Sequence, residues 1–201
     1  SWRLPLDDLV NRSLATMTHI LKRPAEETAT QILEFLKARF ENQLISQGRS
    51  YDVVDAVLDI NATDLVDALA RIDAVEAFKS HPDFEPLVVA FKRVVNILKG
   101  FKGGTLAEEH FESNAERDLH RAFLDISEKA GKALETNKYP EALAAMARLR
   151  KPVDAFFETV LVMTDNETVR MNRLSLLAGM AELFFRVADF SKIVTERQES
   201  L

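Results

Sequence analysis

The chain has 201 residues, 47% of them apolar and 29% charged, which fits one domain or two small ones with a real core and argues against disorder. Six Gly and six Pro are too few for an all-β fold or Gly-rich nucleotide loops, and the absence of Cys removes disulfide frameworks, thiolate zinc sites and Cys nucleophiles. A formal net charge of −6 argues against broad, non-specific binding to nucleic acid or membrane, while leaving room for a local basic stripe.

Helical periodicity runs through the chain. Leu9, Val10, Leu14, Met17, Ile20 and Leu21 recur at spacings of three and four and predict a first helix that Pro24 ends. Pro24 then opens a second helix, favoured by Glu26 and Glu27 at its positive end, that buries Ile32, Leu33, Phe35, Leu36, Phe40 and Leu44 and stops at Gln47-Gly48-Arg49. Ser50 is placed to cap a short helix through Leu58, and Asn61 or Thr63 to cap the next, whose apolar positions are Leu65, Val66, Leu69, Ile72, Val75 and Phe78. His81-Pro82 breaks that helix, and a fifth runs from Phe84 to Leu98.

The stretch 99–104 holds the only Gly-rich run, and 101–114 reads as the longest loop. It is taken as a seam between an N-terminal helical unit, 1–100, and a C-terminal unit, 115–201, the two forming one region. Three helices follow at about 115–136, 140–162 and 166–197, the last with Leu174, Leu177, Met180, Leu183, Phe184, Val187 and Phe190 on one face. The expected fold is all-α: a bundle of about eight helices with short connections.

No apolar run approaches the ~20 residues that span a bilayer, and Ser1-Trp2-Arg3-Leu4-Pro5 holds no signal-peptide core, so a cytoplasmic protein is expected. The start lacks a Met, which suggests a piece of a longer chain with Ser1 as a cloning remnant.

Catalytic patterns are missing. His19, His81, His110 and His120 show no i, i+4 pair for a metal and read as surface or packing residues. Asp7/Asp8 and Glu26/Glu27 fall at helix starts, where acids offset the macrodipole. No phosphate loop or nucleophile elbow follows a strand, since no strand is expected.

The positive signal is electrostatic. No acidic residue lies between Glu85 and Glu108, while Lys92, Arg93, Lys99 and Lys102 do. Lys92 and Lys99, seven apart, share a predicted helix face with Asn96, an arrangement that sets cations against phosphates and an amide against a base edge. The plain alternative is a solvated helix face. A second cluster, Arg148, Arg150 and Lys151, precedes Pro152, which should kink or restart its helix. Arg148 and Arg150 either bind RNA phosphate or pair with Asp154 and Glu158 as braces, and Phe156 and Phe157 read as core before base-stacking platforms. Asn172 and Arg173 open the last helix in the same polar style.

Several strings then resemble the β subunit of bacterial glycyl-tRNA synthetase. They are Ser50-Tyr51-Asp52-Val53-Val54-Asp55-Ala56-Val57-Leu58, Phe91-Lys92-Arg93-Val94-Val95-Asn96-Ile97-Leu98 and Leu149-Arg150-Lys151-Pro152-Val153-Asp154-Ala155-Phe156-Phe157. Val160-Leu161-Val162-Met163, Arg170-Met171-Asn172-Arg173-Leu174-Ser175-Leu176-Leu177 and Val187-Ala188-Asp189-Phe190-Ser191 continue the likeness. In order, these cover about 30–192.

The resemblance implies a helical anticodon-binding domain named for an Asp-Ala-Leu-Arg motif, to which the nearest string here is Asp67-Ala68-Leu69-Ala70-Arg71, with an extra Ala. It also implies a C-terminal piece of a longer subunit in a heterotetramer, a ligase of protein biosynthesis. The separate α subunit would carry the charging of glycine tRNA with ATP and Mg2+. This piece is itself expected to be non-catalytic and to hold no cofactor or metal. Its expected partners are glycine tRNA, the α subunit and the rest of the β subunit, with no membrane. The candidate RNA-binding residues are Lys92, Arg93, Asn96, Lys99, Lys102, Arg148, Arg150, Lys151, Asn172 and Arg173, with Arg93, Arg150 and Arg173 as guanidinium planes and Asn96 and Asn172 as edge readers. The competing reading is a helical platform that docks other synthetase domains or the α subunit. An independent enzyme would need a convergent polar pocket.

Overall fold

Short-range chemistry sets most helix ends in the computed structural model, which describes residues 5–17 and 19–195. The helices are α1 (Leu6–Thr16), α2 (Ala25–Ser46), α3 (Tyr51–Leu58), α4 (Leu65–Phe78), α5 (Phe84–Ile97), α6 (Asn114–Glu135), α7 (Tyr139–Met146), α8 (Arg150–Thr159) and α9 (Glu167–Phe185). Short 3-10 turns occupy Glu108–His110, Ala147–Leu149 and Phe190–Lys192. The described residues contain no strand, so the fold is all-α.

Asp7, Asp8, Glu26 and Glu27 do lie in the first turns of α1 and α2. At α4 the cap is Asp64, not Asn61 or Thr63: its side chain accepts from the amides of Val66 and Asp67 at 3.0 Å. Asn61 instead turns its side chain to Thr63, closing the preceding loop. Ser113 and Glu116 form a reciprocal capping box on α6, with Ser113 Oγ accepting from the Glu116 amide and Glu116 Oε2 accepting from the Ser113 amide at 2.7 Å.

Three predicted helices differ. The first stops at Thr16 rather than near Pro24, because the chain turns through Met17 N–H to Leu14 O and Ile20 N–H to Met17 O. The segment expected as one helix over 140–162 is two: it tightens into the 3-10 turn at Ala147–Leu149 and restarts at Arg150. Pro152 then sits in the first turn of α8, where its missing N–H costs no intrahelical bond. The helix expected over 166–197 ends at Phe185, since the Asp189 amide donates to Ala56 O of α3 at 2.9 Å and draws the chain off the axis. Residues 196–197 of that expectation, and Ser1, lie outside the described residues.

The main core runs without a break from Leu44 to Ile193 and crosses the 101–114 loop. Phe91 of α5 meets Phe184, Phe185 and Phe190 with ring centroids at 5.2, 5.5 and 6.0 Å. Each aromatic pair adds about 0.5–1.5 kcal/mol beyond simple burial. The stretch 99–114 therefore joins two halves that share one core. α9 is buried on more than one face: Leu174, Leu176 and Leu177 are all inside, which a single apolar stripe would not achieve.

A separate small core holds Val10, Leu14 and Ala29 between α1 and α2. α2 is long but buries only Ala29 near its start and Leu44 near its end. Phe35, expected inside, is 60% exposed, with the Arg39 guanidinium 5.6 Å from its ring centroid. Gly48, at φ +87°, supplies the left-handed turn after α2. Arg49 follows and pairs with Glu76 of α4 at 2.6 Å and with Asp73.

Candidate nucleic-acid interface

α5 and α8 lie side by side and run the same way, as two contacts show. Near their starts, Arg150 Nη1 donates to Asp83 Oδ1 at 3.1 Å. Further along, the Arg93 guanidinium carbon sits 4.0 Å from the centre of the Phe157 ring. This pairing brings one residue from each sequence cluster into one groove of about 430 Å³, lined by Glu85, Pro86, Val89, Ala90, Arg93, Arg150, Asp154 and Phe157. Phe156 and Phe157, adjacent in sequence, divide their roles: Phe156 is fully buried, while Phe157 is half-buried and forms a wall of the groove.

A second hollow of about 340 Å³ lies where the chain leaves α5, lined by Ile97, Lys99, Gly100, Phe101, Lys102, Gly103, Met163, Met171 and Leu174. Met163 is 58% exposed there. Phe101 and Met163 were not singled out by sequence reasoning, and only their place beside Lys99 and Lys102 marks them. α5 ends at Ile97 and Gly100 adopts φ +84°, so Lys99 belongs to a turn and not to the helix face shared with Lys92 and Asn96.

The ten candidates separate into three groups. Lys99, Lys102, Arg148 and Lys151 are exposed, and none forms an ion pair with a carboxylate among the described residues. Asn96 is also exposed on α5. The second group is partly committed. Arg93 is exposed but stacked on Phe157. Arg150 is a brace, paired with Asp83 at 3.1 Å and with Asp154 at 3.4 Å, and the partner Glu158 is not used. Lys92 is half-buried; burial lowers its pKa from the usual lysine value, opposed by the charge of Asp52.

The third group corrects the sequence reading: Asn172 and Arg173 are buried and cannot face RNA. Arg173 Nε donates to Glu116 Oε1 at 2.8 Å, its Nη2 to Glu112 Oε2 at 3.0 Å and its Nη1 to Leu161 O at 3.0 Å. Burial pushes the Glu116 carboxyl up, but hydrogen bonds from Arg173 and Ser113 outweigh this and hold it below the ordinary carboxylate range. Asn172 Oδ1 accepts from the Ala107 amide at 2.7 Å, pinning the 101–114 loop to α9. The same loop passes so close to α9 that a Cβ on Gly104 would meet Ser175 Oγ at 2.6 Å.

Asp52 is also buried, and its carboxylate accepts from Ser50 Oγ, Lys79 Nζ and the Val194 amide at 2.6, 3.1 and 2.8 Å. Burial again opposes its charge, yet these donors and Lys79 keep its pKa low. His120 packs against Phe111 with its Nδ1 3.4 Å from Glu108. The described residues include no group of three or more His, Asp or Glu placed to hold a metal ion. No described helix is long and apolar enough to cross a membrane.

The sequence pattern of the DALR anticodon binding domain matches residues 87–197, more than half of the chain. The chain belongs to that family. The DALR match starts inside α5 and takes in α6 to α9, so it contains every candidate from Lys92 to Arg173. It leaves out the string 67–71. Those residues lie in α4, where Arg71 is buried, pairs with Asp67 at 2.9 Å and donates to Asn61 O and Val187 O. The local likeness to the DALR motif is thus a structural brace between α4 and the chain after α9.

The chain is also similar to curated proteins named glycine–tRNA ligase beta subunit. It is 49% identical to that of Syntrophus aciditrophicus over 193 residues, 45% to that of Syntrophotalea carbinolica over 192 and 43% to that of Geobacter metallireducens over 192. Each match covers 96% of this chain and 28% of the relative's length. The likeness to β subunits carried by the strings above therefore holds over nearly the whole chain.

Proposed function

We propose that this DALR domain binds the anticodon loop of glycine tRNA along the face where α5 and α8 run together. The observation that carries the reading is the Arg93 guanidinium on the Phe157 ring, in a groove that Arg150 also lines, within the span matched by the anticodon-binding family. Stacked cation–aromatic surfaces accept unstacked bases, and the unpaired cations Lys99, Lys102, Arg148 and Lys151 offer phosphate contacts in an otherwise acidic chain. The domain itself performs no chemistry in this reading. Charging of tRNA with glycine, using ATP and Mg2+, belongs to the whole cytoplasmic heterotetramer and its α subunit.

The test is binding of glycine tRNA and an unrelated tRNA to the whole synthetase at several salt concentrations, with Lys102→Ala, Lys151→Ala and Arg93→Ala compared with wild type. Weaker binding in all three supports the reading. Unchanged affinity and unchanged salt dependence in all three would remove it.

A second reading, a platform that docks other synthetase parts, is favoured by the internal pairing of Arg150 with Asp83 and Asp154 and by the exposure of Phe35. It predicts that Phe35→Ser in the β subunit releases α subunit on size-exclusion chromatography while tRNA affinity holds.

A further inference from the structure

Ile97 lies one turn beyond Arg93 on the same face of α5, about 6 Å along its axis. The face that lines the Arg93–Phe157 groove through Pro86, Ala90 and Arg93 therefore continues into the second hollow, which Ile97 lines. The opposite wall does the same: Phe157 flanks the groove from α8, and Met163, six residues on, flanks the hollow.

Charge separates the two sites. In the groove Glu85 and Asp154 stand against Arg93 and Arg150, whereas the hollow is lined by Lys99 and Lys102 and by no carboxylate. Both lysines are exposed, and neither forms an ion pair with a carboxylate among the described residues. Gly100 and Gly103 border open space, so the backbone between the lysines is approachable. Beside them Met163 presents a thioether on a side chain that is 58% exposed, next to the half-buried Phe101 and Ile97. Thioether sulfur makes favourable contact with aromatic rings. The volume of about 340 Å³ is within the range that holds a small ligand. Two unpaired cations beside an apolar, sulfur-bearing wall call for an anion and a flat ring in one ligand. A nucleotide has that make-up.

We infer that the hollow at the end of α5 is a second nucleotide subsite, taking the base next to the one on Arg93, with its phosphate on Lys99 and Lys102. The inference rests on the RNA-binding reading above and adds to it a two-base register along α5. No carboxylate, amide or hydroxyl side chain lines the hollow, so the base there is held by its face and not read at its edge. The subsite accepts any base and loses affinity for a sugar that carries none.

The experiment uses the whole synthetase and a fluorescein-labelled anticodon stem-loop of glycine tRNA, with binding followed by anisotropy. Each loop nucleotide is made abasic in turn, and separately exchanged for the other bases. Two adjacent positions are expected to weaken binding by roughly fivefold or more when abasic. At one of the two, every base exchange stays within about twofold. In Met163→Ala the abasic cost at that position shrinks to about twofold or less, while its neighbour keeps the full cost. Mild peroxide oxidation, read by mass spectrometry, supplies a second measure: bound loop slows sulfoxide formation at Met163 and leaves exposed Met17 unchanged. If the loop binds but Met163 oxidises at the same rate with and without it, the inference is wrong and the RNA-binding reading stands. Met163 already shielded in the RNA-free synthetase overturns it in favour of a protein contact. Full abasic cost at every position in Met163→Ala overturns it as well. If the wild type does not bind the loop, both readings fall together.

Discussion

Arg173 and Glu116, 57 residues apart, form a buried ion pair at 2.8 Å that joins the second turn of α9 to the first turn of α6. The same carboxylate completes the α6 capping box through Ser113. One acid therefore fixes a helix start and the packing of two helices at once.

Arg173→Ala is expected to destabilise the domain by about 3–5 kcal/mol, because it strands a buried carboxylate. Urea denaturation measures the loss. Under conditions where the variant remains folded, tRNA affinity should match wild type, since the guanidinium faces inward. A drop in affinity without a drop in stability would return Arg173 to the RNA-facing set.

Acid should weaken the fold through the same group. The Glu116 pKa is lower folded than unfolded, so its stabilising contribution is complete above the unfolded value and is lost as pH falls through the folded one. Asp52 behaves alike, with its pKa also lowered in the fold. The urea midpoint should hold steady from neutral pH to about pH 5 and fall below about pH 4. Glu116→Gln starts less stable but shows a shallower fall, and an equally steep fall would assign the acid sensitivity elsewhere.

Lys102→Ala and Lys151→Ala should each weaken RNA binding without regard to loop sequence. The slope of log affinity against log salt should flatten by about 0.7–0.9 per cation removed. Affinity measured across a salt series separates this from Phe157→Leu, which should cost about 1–3 kcal/mol of base stacking and leave the slope unchanged.

Gly104→Ala should cost about 1–3 kcal/mol through its clash with Ser175 Oγ, which is held by a 2.9 Å bond to Met171 O. Ser175→Ala in the same chain should restore most of the loss in thermal melting. Failure of that rescue would mean the loop gives way elsewhere.

The helices were legible because burial imposes their period: Phe91, Val94, Leu177, Met180 and Phe184 all fall inside as spacing requires. Boundaries were less so, since they turn on competition between neighbours. Asp64 outbids Asn61 and Thr63 for the α4 amides, and the Ala56 carbonyl, over a hundred residues away, diverts Asp189. The candidate site was half legible. Local sign reversal pointed to Lys99 and Lys102, but nothing near Arg173 in sequence announces Glu116 or Glu112. A polar side chain whose partners come from another helix looks like a surface residue until the fold brings them together. The reverse held for Phe157, whose apolar character hid its place at the rim.

The two cores of unequal size give α2 a mechanical part. Its 22 residues extend about 33 Å, anchored by Ala29 in the small core at one end and by Leu44 in the main core at the other. Ile32 and Leu33 extend the first anchor, Phe40 extends the second, and the Leu6 amide donates to Thr63 O at 2.8 Å, tying the start of α1 to the loop before α4. Past Gly48, Arg49 clamps Asp73 and Glu76 of the same α4. The hairpin of α1 and α2 is thus a strut fastened at both of its ends to the flanks of one helix.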